Sequence, residues 1–181
     1  SLDDFWISHF PVTVALFTRF VHQTRYETTA QQNKNTYNWT CPRYLDEDIR
    51  QKLNHPVTQV SWGDALAFCA WIEQIASGRF EGKLRFRLPS EAEWEKAARG
   101  SKGLNWPWGD TPPDAGRCNY DMLHKDTTPV GDFSPQGDSP YGCADMAGNI
   151  WEWTSTLYKP YPYRTGDGRE DPRAIGERVL R

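Results

Sequence analysis

The chain has no long hydrophobic run, no excess of one charge and no closely spaced cysteine pair. Each absence removes a class of function. No apolar stretch approaches the roughly 20 residues a bilayer span needs, so no membrane span is expected. Lys and Arg number 21 against 24 Asp and Glu, a formal net charge of −3. That leaves no basic footprint for nucleic acid and no polybasic patch for a lipid surface. The four cysteines, Cys41, Cys69, Cys118 and Cys143, never form a C-x-x-C. A zinc ribbon or thioredoxin-type motif is therefore not indicated, and four free, mostly buried thiols are expected. The opening Ser1-Leu2-Asp3-Asp4-Phe5-Trp6 carries no signal-peptide pattern, so a cytoplasmic location is the expectation. Without secretion, Asn38-Trp39-Thr40 means little as a glycosylation acceptor. There is no internal repeat and no linker, so residues 1–181 read as one domain, long enough to bury a core.

What is present is aromatic. The chain holds 9 Trp, 8 Tyr and 8 Phe, with 14 Gly and 13 Pro, on a polar mean hydropathy of −0.77. Disordered chains are poor in aromatics, so a compact, loop-rich domain with an aromatic core is expected. Residues 5–12 read as a strand. Thr13 caps a helix with Phe17, Phe20 and Val21 on one face. Residues 23–55 read as a loop with one helical turn at 45–52. Residues 56–60 read as a short strand. Ser61 and Asp64 then open a helix whose stripe is Ala65, Phe68, Cys69, Ile72 and Ile75, closed by Gly78. Residues 84–88 alternate as a strand does. Ser90 and Glu93 form a second capping box, before a helix that Arg99-Gly100 closes. Its acids Glu91, Glu93 and Glu95 suit the positive end of a helix better than a catalytic cluster. After residue 101 regular structure thins to a Trp106–Asp110 turn, an extended piece at 128–133 and a strand at 151–153. A Tyr/Pro/Gly/Arg loop follows at 158–176, and a strand begins at Arg178.

The run from Tyr141 to Thr154 carries the chemistry. It holds Asp145, Gly148, Asn149, Trp151, Glu152 and Trp153. Gly148 and Asn149 disfavour a helix interior. Two carboxylates in a glycine turn suit a loop that wraps a hard cation in oxygen, and an aromatic strand then follows. Trp106, Trp108, Trp151 and Trp153 are expected mostly in the core, a sugar-stacking surface being the lesser alternative.

The ordered segments resemble the formylglycine-generating enzyme, or sulfatase-modifying factor, family. They are Phe5-Trp6-Ile7 with Pro11-Val12-Thr13; Pro56-Val57 with Val60-Ser61-Trp62 and Asp64-Ala65; Arg87-Leu88-Pro89-Ser90-Glu91-Ala92-Glu93-Trp94-Glu95; Pro107-Trp108-Gly109; Pro129-Val130-Gly131; the Tyr141–Thr154 run; and Arg178-Val179-Leu180-Arg181. The resemblance implies an α+β, loop-rich variant of the C-type-lectin fold. It also implies one of three roles: a copper-dependent oxidase that converts a sulfatase cysteine to formylglycine, an iron-dependent sulfoxide synthase, or a non-catalytic binding domain such as the variable proteins of diversity-generating retroelements. The oxidase holds Cu(I) with two cysteines, since soft thiolates select that ion. In the family they lie downstream of a Leu-Arg-Gly-Gly-Ser-Trp-like segment, which would begin at Leu180-Arg181. The domain is thus expected to lack its C-terminal strands and that pair, and Cys118 and Cys143 lie in loops instead. His9, His22, His55 and His124 are scattered and form no HxxxHxE, so the iron branch fits poorly. The expectation is a non-enzymatic domain, resembling bacterial non-catalytic members, that binds a protein or small ligand. A copper oxidase is the alternative.

The resemblance also implies structural calcium. Asp145 and Glu152 match side-chain ligands, and Gly148 and Ile150 match backbone-carbonyl ligands. A second family site begins at an Asn-aromatic pair, here Asn119-Tyr120, with Asp126 as its possible partner.

Overall fold

A computed structural model describes residues 2–43, 48–78, 84–121, 123–164 and 166–181. The first core grows from helix α1, Val14–Thr24. Thr13 caps it, its hydroxyl accepting the Leu16 N–H at 3.2 Å. Arg25, in the left-handed region at φ 56°, ends it. Val14, Phe17 and Phe20 recur at threefold spacing and are buried. They meet Phe68 and Trp71 of helix α3, Trp62–Ala76. Phe20 lies edge-on to Phe68 at 5.7 Å and 87°, an arrangement that adds to area burial of roughly 1.5–3 kcal/mol per ring. Trp39 and Val57 complete this cluster from the intervening loops.

The stripe of α3 is narrower than its sequence spacing predicts. Phe68 and Trp71 are the buried apolar residues, while Ile75 stands 42% exposed. Trp71 takes the inward position because its indole N–H finds Gln23 Oε1 at 3.1 Å. The capping box at Ser61 forms as expected. Asp64, fully buried, does more than cap. It accepts the N–H of Ser61 at 2.8 Å, the Tyr26 hydroxyl at 3.0 Å and both the N–H and hydroxyl of Thr29. That carboxylate ties α3 to the short helix α2, Thr29–Gln32.

Helix α4, Glu91–Arg99, forms from the second capping box. Arg87 grips Glu93 through two bonds of 2.8 and 2.7 Å. Ala97 and Ala98 of this helix pack with Cys143 and Met146 in a second, smaller core, flanked by Ile7 and Trp94.

One antiparallel pair is the sheet found among the described residues: β1, Trp153–Leu157, with β2, Arg178–Leu180. The strand expected at 151–153 therefore starts at Trp153, and Trp151 lies outside it. The segments 5–12 and 56–60 are not strands. The Val57 N–H reaches the Val12 carbonyl at 2.9 Å, next to an isolated bridge between Thr13 and Pro56. Residues 84–88 alternate inward and outward without joining a ladder; the Phe86 N–H is satisfied by Glu73 Oε2 at 3.0 Å. The helical turn expected at 45–52 is a 3-10 turn, Ile49–Lys52, and residues 45–47 lie outside the described residues. The four cysteines are free, Cys118 and Cys143 buried and Cys41 and Cys69 half-buried. No helix among the described residues is long and apolar enough to cross a membrane.

Candidate metal centre

The loop before β1 is held in shape by backbone that few residues adopt. Asp145, Gly148 and Asn149 all have positive φ, at 57°, 83° and 65°. Asp and Asn are among the non-glycine residues that enter this region most readily, and here their side chains are also held by bonds to distant backbone. Asn149 is held twice, Oδ1 accepting the Thr128 N–H at 2.9 Å and Nδ2 donating to the Thr128 carbonyl at 3.2 Å. Gly148 passes so close to Asn119 that a Cβ there would collide with its carbonyl. That same carbonyl accepts the Asn149 N–H at 2.8 Å. The Gly148 carbonyl accepts the Ile150 N–H at 2.8 Å.

Asp145 and Glu152 sit near enough in this loop for the charge of Asp145 to be felt at Glu152. Asp145 Oδ2 accepts the Gly131 N–H at 2.8 Å. Glu152 Oε2 accepts the Trp94 indole N–H at 3.1 Å, and its backbone pairs with Arg181 in both directions. Among the described residues no cationic side chain bonds to either carboxylate. Glu152 as a residue keeps some surface, but its carboxyl end is desolvated. Burial pushes that carboxyl up to about 7, with Trp94 opposing and the Asp145 charge adding to the rise. Asp145 is likewise raised by burial, against the Gly131 N–H and Asn149, with Asp138 and Asp132 adding to the rise. Two desolvated, mutually repelling carboxylates without a counter-charge are costly. The Thr128 hydroxyl, on the residue whose backbone Asn149 holds, is buried without a partner. This oxygen-rich donor set fits a hard cation. Among the described residues no three His, Cys, Asp or Glu side chains converge, so any cation here would draw on backbone oxygens as well as these two carboxylates.

The other expected residues sit differently. Asn119 is buried and donates its Nδ2 to the Asp126 carbonyl at 2.7 Å. The Tyr120 carbonyl accepts the Leu123 N–H at 2.9 Å. Both Asp126 carboxylate oxygens are engaged, Oδ2 by Lys52 Nζ at 2.6 Å and Oδ1 by the Thr127 N–H at 2.7 Å. The sequence pattern did not point to Lys52, which lies in a stretch without periodicity. Nor did it point to Arg181, whose Nη2 reaches Glu91 Oε1 at 2.6 Å and gives an α4 acid an ion-pair partner.

Three of the thiols are desolvated. Burial pushes Cys69 up to about 11 and holds Cys118 and Cys143 above the usual thiol range. A groove of about 1070 Å³ runs beside the loop, lined by Asn119, Asp126, Asp145, Trp106 and Trp151 among others. Trp151 stands 76% exposed, and Trp106 is exposed as well. Trp108 and Trp153 are only half-buried, so the expectation that these four tryptophans are mostly core is corrected. The loops that carry them leave their outer faces uncovered.

Residues 1–181 match the family model described as "Sulfatase-modifying factor enzyme 1-like domain". An inactive C-alpha-formylglycine-generating enzyme 2 of Bos taurus is 36% identical, over 88% of this chain and 62% of its own length. A formylglycine-generating enzyme of Streptomyces coelicolor is 38% identical, over 79% of this chain and 46% of its own. The chain thus spans roughly half to two thirds of these relatives. Among solved structures, PvdO from Pseudomonas aeruginosa superposes with a TM-score of 0.63 at 22% identity, over 84% of this chain and 56% of its own. Treponema denticola variable protein 1 superposes with a TM-score of 0.53 at 22% identity, over 94% and 76%. These likenesses show a shared loop-rich α+β fold.

Proposed function

We propose, from the premise that this chain belongs to the sulfatase-modifying factor family, that it is a non-enzymatic binding domain on a calcium-stabilised scaffold. The carrying observation is the Asp145–Glu152 pair, desolvated and without a bonded cationic side chain among the described residues. Both carboxylates supply charge to the cation, and the carbonyls of Gly148 and Ile150 supply neutral oxygen. Calcium here neutralises and orders the loop. The open groove beside it, rimmed by exposed Trp106 and Trp151, supports a binding role for a protein or small ligand. The four cysteines lie far apart in sequence and are free, so no paired thiols of the kind that hold Cu(I) stand out within these residues, which favours binding over copper redox chemistry. Likeness to an inactive relative and to a variable protein agrees with that reading.

The scaffold is tested by chelation. A ligand bound only by the folded state stabilises it by RT ln(1 + [L]/Kd), about 2.7 kcal/mol at 100 Kd. For a domain of this size that is roughly 5–10 °C in Tm. Chelator is expected to lower Tm by that order, and Glu152→Ala to abolish the response. An unchanged Tm in wild type would remove calcium.

The oxidase reading has one observation in its favour, the 38% identity to an active-named relative. The full-length protein, copper-loaded and given a cysteine-bearing sulfatase peptide, decides between them. The binding reading expects no aldehyde on hydrazide capture. Aldehyde formation would establish the oxidase and sink it.

A further inference from the structure

We infer that the second cation position of this fold, at Asn119, Tyr120 and Asp126, is filled in this protein by its own ammonium group, Lys52, and takes no metal. Lys52 Nζ lies 2.6 Å from Asp126 Oδ2. Its side chain is only 16% exposed, so its charge is largely withdrawn from water and needs its partner. Neighbouring oxygens are tied into the same network. Asp126 Oδ1 and the Asp126 carbonyl accept from Thr127 N–H and Asn119 Nδ2. The Asn119 carbonyl accepts from Asn149 N–H, and the Tyr120 carbonyl from Leu123 N–H. A divalent ion entering here would meet one carboxylate already neutralised by a cation and would be repelled by it.

The ammonium does the mechanical work a metal does elsewhere, joining segments distant in sequence. It fastens the Ile49–Lys52 turn to the 126–130 stretch. Two further bonds reinforce that seam: His55 Nδ1 with Thr127 Oγ1 at 2.8 Å, and the Val130 N–H with the Asn54 carbonyl at 2.9 Å. The contrast with Asp145 and Glu152 is direct, since they have no such ammonium. Only the contrast rests on the calcium centre proposed above; the Lys52 assignment stands on its own bonds.

The test is a calcium titration of chelator-stripped protein by calorimetry, with wild type, Asp126→Asn and Glu152→Gln. One equivalent is expected for wild type and for Asp126→Asn, and none for Glu152→Gln. Two equivalents in wild type falling to one in Asp126→Asn would overturn the inference. No equivalent in wild type would sink the Asp145–Glu152 centre while still agreeing with an ammonium at Asp126. Melting adds a readout independent of stoichiometry. Asp126→Asn is expected to lower Tm by the same several degrees with calcium as with chelator. A loss seen only with calcium would assign Asp126 to a metal.

Discussion

Glu152 is where one side chain sets the solution behaviour of the molecule. Its carboxyl is raised from 4.5 to about 7 in the folded state. Between those values the native chain holds a proton that the unfolded chain has lost. Without a cation, stability from this group is therefore full below pH 4.5 and lost as pH rises through 7, by roughly 3 kcal/mol across the window. Asp145, also raised, adds in the same sense. Glu93 runs the other way in a separate window. The Arg87 pair and the capping bonds lower it to about 2, so its contribution is lost only as pH falls from 4.5 towards 2. Urea unfolding of chelated protein at pH 5 and pH 7.5 is expected to show the lower stability at pH 7.5. Glu152→Gln flattens that difference. A wild-type profile that rises over this range without calcium contradicts the buried-carboxylate account. On the calcium reading proposed above, added calcium is expected to reverse the slope, because a cation binds the deprotonated carboxylate.

At the scale of elements, helix starts carry more energy than their length suggests. Ser61 caps α3 with one bond, to the Asp64 N–H at 3.1 Å. Asp64 accepts four and is fully buried. Ser61→Ala is expected to cost about 1 kcal/mol. Asp64→Ala should cost more, roughly 2–3 kcal/mol, because it removes a fully buried carboxylate that four bonds hold and leaves the part-buried donors of Tyr26 and Thr29 without it. Denaturant midpoints of the two variants check the order, and equal losses would reduce Asp64 to a cap. Helices α1, α3 and α4 were legible for the same reason that these variants differ, whereas α2, Thr29–Gln32, lies in the stretch read as loop. Thr13, Ser61 and Ser90 announce starts by local chemistry, and Phe17, Phe20 and Phe68 announce a buried face by spacing. The strands were legible only in part: the one expected to begin at Arg178 is β2 and the one expected at 151–153 is displaced into β1. Residues 5–12 and 84–88 have the alternation of strands but join no ladder, and pairing is a property of distant chain that alternation does not contain. At the candidate centre, Asp145, Gly148 and Glu152 were legible as a carboxylate–glycine loop. Lys52 at Asp126 was not, because an ion pair across 74 residues leaves no local mark.

Over the whole molecule, two small cores and one strand pair leave much of the chain to be held by side chains on backbone carbonyls. Arg178 is the clearest instance. Its guanidinium donates to the carbonyls of Ser155 at 2.6 Å, Asp171 at 3.2 Å and Ala174 at 2.5 Å, and lies over the Trp62 ring at 4.3 Å. One residue thus joins β2, β1, the start of α3 and the Asp171–Ala174 turn. A lysine retains the charge but has neither the planar fork nor the stacking face. Arg178→Lys is therefore expected to loosen the Asp171–Ala174 turn while leaving the Phe17–Phe20–Phe68 core intact. Limited proteolysis should cleave around Asp171–Ala174 several-fold faster, and hydrogen exchange should speed there but not in α1. Such local opening is how a domain built from pinned loops yields, segment by segment from its least supported end. Uniformly faster exchange through α1 and α3 would mean instead that Arg178 supports the global fold, and that the turn and the cores unfold as one unit.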